Sequence, residues 1–271
     1  MEQQIGFCTS ADGTRIAYAT YGDGPGTPLV FGPLWGVSQE LLWKLPEGRT
    51  LLDELARGRK LVTFDRRGMG GSEREVDDFG LDAQVADLAA AVDHLRLERF
   101  HLFVAGSSGA VCVAFAGRHP ERVARLVLFG PYLRGADATS GGAGALIDLL
   151  RASWPLARRT IADLFFPSGP DELRKWTVTC LRESMSPQAA ARFLEFSSTV
   201  DVAAEGAGLQ APALLLHRRG DRAVPVSAGR AAANVIPDAR LIVLEGDASF
   251  VHDHGQFVGL VREFFDEGDL S

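Results

Sequence analysis

Strand-type and helix-type runs alternate along this chain, stop, and then resume. That interrupted alternation constrains the fold more than any other feature. Pro28–Phe31, Lys60–Phe64, Phe100–Val104 and Val123–Phe129 are short apolar runs suited to buried strands. Between them, Leu51–Leu55 has helical spacing, and Asp82–Leu95 repeats apolar residues at Val85, Leu88, Ala89, Val92 and Leu95. Ala110–Gly117 is a helix that stops before Pro120. This order predicts an α/β fold, a mostly parallel sheet with helices on both faces. Ahead of it, Ile5–Phe7 and Arg15–Ala19 flank an Asp12-Gly13 turn and predict a β-hairpin, and Gly22–Gly26 is expected to be a loop.

From about Arg134 to Ala207 the chain offers helical stretches and no convincing strand. The alternation returns with Ala213–His217, Val226–Val235 and Leu241–Leu244, and ends in a helix near Gln256–Phe265. The expected organisation is a core of residues 1–133 and 208–271 with an inserted helical cap, 134–207. The cap is rich in aromatic residues: Trp154, Phe165, Phe166, Trp176, Phe193 and Phe196. Gly141-Gly142-Ala143-Gly144 is expected to be a flexible entry to it.

Composition narrows the partners. A chain of 271 residues with 46% hydrophobic and 23% charged residues suits one large soluble domain. A formal net charge of −7 argues against a nucleic-acid or anionic-membrane partner, which would need a basic surface. Cys8, Cys112 and Cys180 form no metal knuckle and no C-x-x-C, and Cys112 sits in an apolar run as a small core residue. No His/Asp/Glu cluster has metal-ligand spacing, and no phosphate-cradling or dinucleotide motif is present, so no metal or cofactor is expected. With no basic head before an apolar stretch and no run of membrane-spanning length, the expected location is cytoplasmic, and the expected partner is a small molecule.

Phe64-Asp65-Arg66-Arg67-Gly68-Met69-Gly70-Gly71-Ser72 is similar to the D-x-R-G-x-G-x-S loop of α/β-hydrolases. Arg118–Val123 running into Leu126-Val127-Leu128 resembles their helix-to-strand junction after the nucleophile. Leu214–Pro225 resembles the strand and loop that carry their acid. The phrases Leu216–Asp221 and Ser186-Pro187 followed by Asp201 resemble a bacterial subgroup in which the domain occurs alone or fused to adenylate cyclases and transcriptional regulators. The resemblance implies the α/β-hydrolase fold and a Ser-His-Asp triad with a backbone oxyanion site.

Carried over residue by residue, the triad is partly dismantled. Asp221, in a Gly-Asp-x-x-Val-Pro loop, stands at the acid position. In Val104-Ala105-Gly106-Ser107-Ser108-Gly109-Ala110, small-x-Ser-x-small frames centre on Ser107 or on Ser108. Ungapped counting from His119-Pro120 or from Glu98-Arg99 instead puts Gly106 at the nucleophile position. The alternative role for Ser107 and Ser108 is to cap the following helix. Ungapped counting from Asp221 puts Ser249 at the base position, with His252 close enough to replace it if the loop is rebuilt. After the Leu29–Phe31 strand, the backbone N–H of Trp35 takes the oxyanion donor position, and Leu34 stands where a Gly is expected.

Three function classes follow. The first is a repurposed enzyme running an elimination, a cyclisation or another non-hydrolytic step on an apolar small molecule. The second is a serine hydrolase with a shifted triad of Ser107 or Ser108, His252 and Asp221. The third is a non-catalytic ligand-binding or sensor module. A covalent serine probe separates the second from the others, and ligand binding without turnover marks the third.

Overall fold

The computed structural model describes residues 2–139 and 142–269. Strands β1 (Gln4–Thr9) and β2 (Arg15–Phe31) form the expected hairpin, with Gln4 opposite Thr20 and Thr9 opposite Arg15. Its turn closes through Ser10 N–H to the Thr14 carbonyl at 2.8 Å, while Gly13 takes a φ of +92° that a side chain would resist. The stretch Gly22–Gly26 is not a loop; it continues β2 with shifted register. Its glycines serve a close approach: a Cβ on Gly24 would stand 2.2 Å from the Gly58 carbonyl carbon.

The chain continues through α1 (Gln39–Lys44), α2 (Pro46–Leu55), β3 (Arg59–Phe64), α3 (Leu81–His94), β4 (Phe100–Ala105), α4 (Gly109–Arg118) and β5 (Val123–Phe129). Six helices follow among the described residues: α5 (Gly135–Thr139), α6 (Ala143–Ala152), α7 (Trp154–Phe165), α8 (Asp171–Ser184), α9 (Pro187–Thr199) and α10 (Ala203–Ala207). Then come β6 (Ala213–Arg218), α11 (Val226–Val235), β7 (Ala239–Leu244) and α12 (Gly255–Asp269). Between β5 and β6 the described residues hold no strand, only single bridges such as Met69 to Met185. Gly141, where a flexible entry was expected, lies outside the described residues. No helix among the described residues is long and apolar enough to cross a membrane.

The seven-stranded sheet runs β1-β2-β4-β5-β6-β7, with β3 paired to β2, and the ladders from β2·β4 through β6·β7 are parallel. Alternate side chains of β4 serve opposite layers. Leu102 and Val104 pack with Val85, Leu88 and Val92 of α3 and with α4. Phe103 packs with Leu51 and Leu55 of α2 and with Phe257 and Val261 of α12. A strand buried on both faces reads as a continuous apolar run, which is why its sequence lacks alternation.

The D-x-R-G-x-G-x-S loop after β3 is a hydrogen-bonded joint. Arg67 makes a two-pronged pair with Asp87, both bonds 2.7 Å, and reaches Asp12 at 2.8 Å. Asp65 accepts from Gln39 N–H at 2.7 Å and Gly71 N–H at 2.8 Å. The Ser72 hydroxyl donates to the Asp65 carbonyl and accepts from Ala17 N–H. The motif therefore ties the sheet to α1 and α3. One more bond, Gly70 N–H to the Ser184 carbonyl at 2.8 Å, fastens it to α8 above.

Candidate active site

Parallel strands end on one edge, and the ends of β2, β4, β5, β6 and β7 deliver their following residues to a single cavity beneath α6, α7 and α8. Its volume is about 560 Å³. Leu34 and Trp35 come from the end of β2, Gly106 and Ser107 from β4, Gly130 from β5, Asp221 from β6 and Ser249 from β7. Leu146, Leu149, Ile161, Leu164, Phe165 and Trp176 supply the apolar roof. Of the cap aromatics named above, Phe165, Phe166 and Trp176 reach the wall; Trp154, Phe193 and Phe196 do not.

Gly106 follows β4 directly and takes a φ of +63°, between extended Ala105 and a short 3-10 turn over Gly106–Ser108. A Cβ built on it would meet nothing within 4 Å. The turn thus has the sharp left-handed bend of a nucleophile elbow, with no side chain at its tip and open space above it.

Ser107 borders the cavity, but Ser108 does not. Ser108 is fully buried behind the turn, where its hydroxyl accepts from Arg66 Nη2 at 2.5 Å and donates to the Pro33 carbonyl. Both its lone pair and its proton are engaged away from the cavity, so the structure corrects Ser108 as a catalytic candidate. Neither serine caps α4 with its side chain.

Asp221 sits half-buried on the cavity wall. Its Oδ1 accepts from Ala223 N–H at 2.8 Å and from Val224 N–H at 2.9 Å, as an Asp in a tight turn does. Its Oδ2 has no hydrogen bond among the described residues and lies 3.3 Å from where a Cβ of Gly130 would stand; Gly130 itself has a φ of +60°. Burial pushes the carboxyl pKa up, against the two backbone donors and the neighbouring His217, which pull it down.

Ser249 borders the cavity, with its backbone N–H donating to the Phe165 carbonyl at 2.7 Å. His252 does not border it, a correction to the shifted-triad expectation. The cause is local and long-range at once. His252 N–H donates to the Ser249 carbonyl, so the segment folds into a tight turn. Arg218, buried at the end of β6, then fixes that turn by donating to the carbonyls of Glu245, His252 and Asp253. No histidine borders the cavity among the described residues. His101 stacks on Phe265 in the core, His217 bonds the Val224 carbonyl, and His254 lies against the Val251 carbonyl.

Leu34 and Trp35 line the cavity as expected from their place after β2. The Trp35 indole stacks on Phe193 of α9 with centroids 6.0 Å apart and meets Phe165 edge-on at 6.2 Å. Sequence reasoning did not single out Arg66, Gly130 or Arg218. Gly130 had a signal, a glycine directly after an apolar strand; Arg218 had one too, a cation closing a buried strand.

Residues 43–255 match the family model described as alpha/beta hydrolase fold. The chain is 27% identical over 285 residues to a 2-hydroxymuconate semialdehyde hydrolase of Pseudomonas sp. (strain CF600), covering 99% of this chain and 96% of that protein. It is 29% identical over 262 residues to a non-heme haloperoxidase of Rhodococcus erythropolis, covering 89% and 91%. Among solved structures, the esterase RhEst1 of Rhodococcus sp. ECU1013 superposes with a TM-score of 0.81 at 26% identity, over 97% of this chain and 98% of that one. An esterase of Exiguobacterium antarcticum superposes at 0.85 over 97% and 100%; at 18% identity this is a likeness of fold.

Proposed function

This chain belongs to the α/β-hydrolase fold family, and we propose that it turns over an apolar small molecule by acid–base chemistry at Asp221, without an acyl-enzyme. The observation that carries this reading is the wall itself. Asp221, with one carboxylate oxygen free of hydrogen bonds among the described residues, lines a cavity that has a glycine at the elbow tip and no histidine on its wall to activate a serine. An unactivated hydroxyl stays protonated and weakly nucleophilic, so Ser107 alone does not replace the missing pair. A carboxyl whose pKa burial has raised is better matched to giving or taking a proton near neutral pH than an ordinary surface Asp.

On this reading, Asp221 accepts a proton from the substrate and returns one at a second atom, or releases it with a leaving group. Cyclisation, isomerisation and elimination all fit. The backbone N–H groups of Trp35 and Ser107 face developing negative charge on a carbonyl oxygen, and the apolar roof excludes water. Residues 134–207 act as the cap that sets substrate shape.

The test incubates the purified chain with small-molecule extracts in H2(18)O and follows depletion by mass spectrometry. The expected product carries no new oxygen-18, and Asp221→Asn slows its formation by about 10²–10⁴-fold while the fold remains. Incorporation of one oxygen-18, together with serine-probe labelling, would replace this reading with a hydrolase. Ligand retained unchanged by the wild type would replace it with a sensor.

A further inference from the structure

We propose that the cavity wall at Asp221 is a subsite for a basic nitrogen, a protonated amine or ring nitrogen on an otherwise apolar ligand, held by Asp221 Oδ2. This rests on the reading of Asp221 as the working carboxyl of the cavity and names the ligand class it takes.

Three observations converge. The first is directional. Two backbone N–H groups fix Oδ1, so the carboxyl plane is set by the turn, and Oδ2 is the oxygen left for a ligand. The second is spatial. Gly130 offers no Cβ in front of that oxygen, which lies 3.3 Å from where one would stand, and Gly106 and Ser249, which border the same cavity, are small as well. These positions leave room for a nitrogen-bearing group that the chain does not supply. The third is electrostatic. The ionisable side chains on the wall are Asp221, Asp247, Arg222 and Tyr132, and the Tyr132 hydroxyl is already hydrogen-bonded to Ser197. Arg222 is exposed to solvent and makes no ion pair among the described residues. A carboxylate in an apolar, water-poor site is costly unless a cation or a hydrogen-bond donor meets it. A ligand N–H⁺ does both, and the interaction is charge-assisted and short when made.

The remainder of the cavity sets the rest of the ligand. Leu34, Leu149, Ile161, Phe165 and Trp176 offer apolar contact and no cation or anion. The fitting molecule therefore has one basic terminus and an apolar body, and a carboxylate terminus placed at Asp221 would meet a like charge.

The experiment titrates the intact chain by calorimetry with three matched probes: 4-phenylbutylamine, 4-phenylbutanol and 4-phenylbutyrate. The amine is expected to bind at least about tenfold more tightly than the alcohol, and the acid most weakly, since tenfold in affinity corresponds to about 1.4 kcal/mol. In Asp221→Asn, the amine should fall to the affinity of the alcohol while the alcohol is unchanged, which also shows that the variant is folded and its cavity intact. Equal binding of amine and alcohol to the wild type, tighter binding of the acid, no binding of any probe, or an amine preference that survives Asp221→Asn would each overturn the proposal. The binding readout is independent of turnover. If Asp221→Asn removes the amine preference but leaves catalysis untouched, the acid–base reading fails and this subsite stands.

Discussion

Arg66 donates a 2.5 Å hydrogen bond to the hydroxyl of Ser108 and so joins three parts of the molecule. Ser108 passes the link to the Pro33 carbonyl below the oxyanion turn, and the Arg66 guanidinium lies 4.1 Å from the ring of Phe193 in α9. Burial alone holds this guanidinium down to about 10, and its Nε and Nη1 have no partner among the described residues.

The two members of this link should respond differently to removal. Ser108→Ala leaves the Pro33 carbonyl and the charged guanidinium buried without their partner, and is expected to destabilise by about 1–3 kcal/mol. Arg66→Met removes a buried charge that makes no ion pair among the described residues, and is expected to fall within about 1 kcal/mol of wild type. Urea denaturation of both variants checks this. A neutral Ser108→Ala beside a severely destabilised Arg66→Met would mean that the guanidinium has a stronger partner than Ser108.

A fluorophosphonate probe should leave the wild-type chain unlabelled at stoichiometric dose. Ser107 faces the cavity without a histidine on its wall, and Ser108 is sealed behind the elbow. Intact-mass spectrometry reads the outcome, and a complete single adduct on Ser107 would favour the shifted hydrolase instead.

Asp65 should give stability a distinctive pH dependence. Burial pushes its pKa from an ordinary 3.8 to about 6, although Gly71 and Gln39 backbone donors pull the other way. The folded state then holds a proton that the unfolded state has released, so this group's contribution falls as pH rises from about 4 to about 6 and is constant outside that window. The full effect is bounded by about 3 kcal/mol. Measured as wild type minus Asp65→Asn, unfolding free energy should decline across that window. A rising difference would mean that the two backbone donors outweigh burial.

The layered sheet was legible because its strands are apolar on both faces and its helices carry a regular stripe, as Val85, Leu88 and Val92 do in α3. Gly22–Gly26 misled, since glycines that let two backbones approach look the same in sequence as glycines that make a turn. At the site, ungapped counting brought Gly106 and Ser249 forward, and both border the cavity. The fate of Ser108 was not legible, because it depends on Arg66 and Pro33, 42 and 75 residues away. His252 is turned from the cavity by Arg218, whose reach of 34 residues leaves no periodic trace.

Gly106→Ser combined with Ser249→His tests the assignment of the elbow and base positions. Triad members act as a unit, so each single change should give almost no ester turnover: a serine without a base stays inert, and a histidine without a nucleophile has nothing to activate. Together with Asp221, whose Oδ2 is free to orient an imidazole, the double variant should gain weak hydrolysis of an aryl ester such as p-nitrophenyl butyrate, and a serine probe should label Ser introduced at 106. The space for the new hydroxyl exists, since a Cβ at 106 meets nothing within 4 Å. The cost lies in the backbone: a φ of +63° strains any residue with a side chain by about 1–3 kcal/mol, so Gly106→Ser should lower the melting temperature by several degrees. Activity should stay far below that of a natural esterase. Leu34 occupies the oxyanion turn in place of a smaller residue, and one misplaced oxyanion donor costs about 10²–10³ in rate. A double variant that melts cooperatively yet neither hydrolyses the ester nor takes the probe would show that Gly106 and Ser249 do not occupy the positions assigned to them.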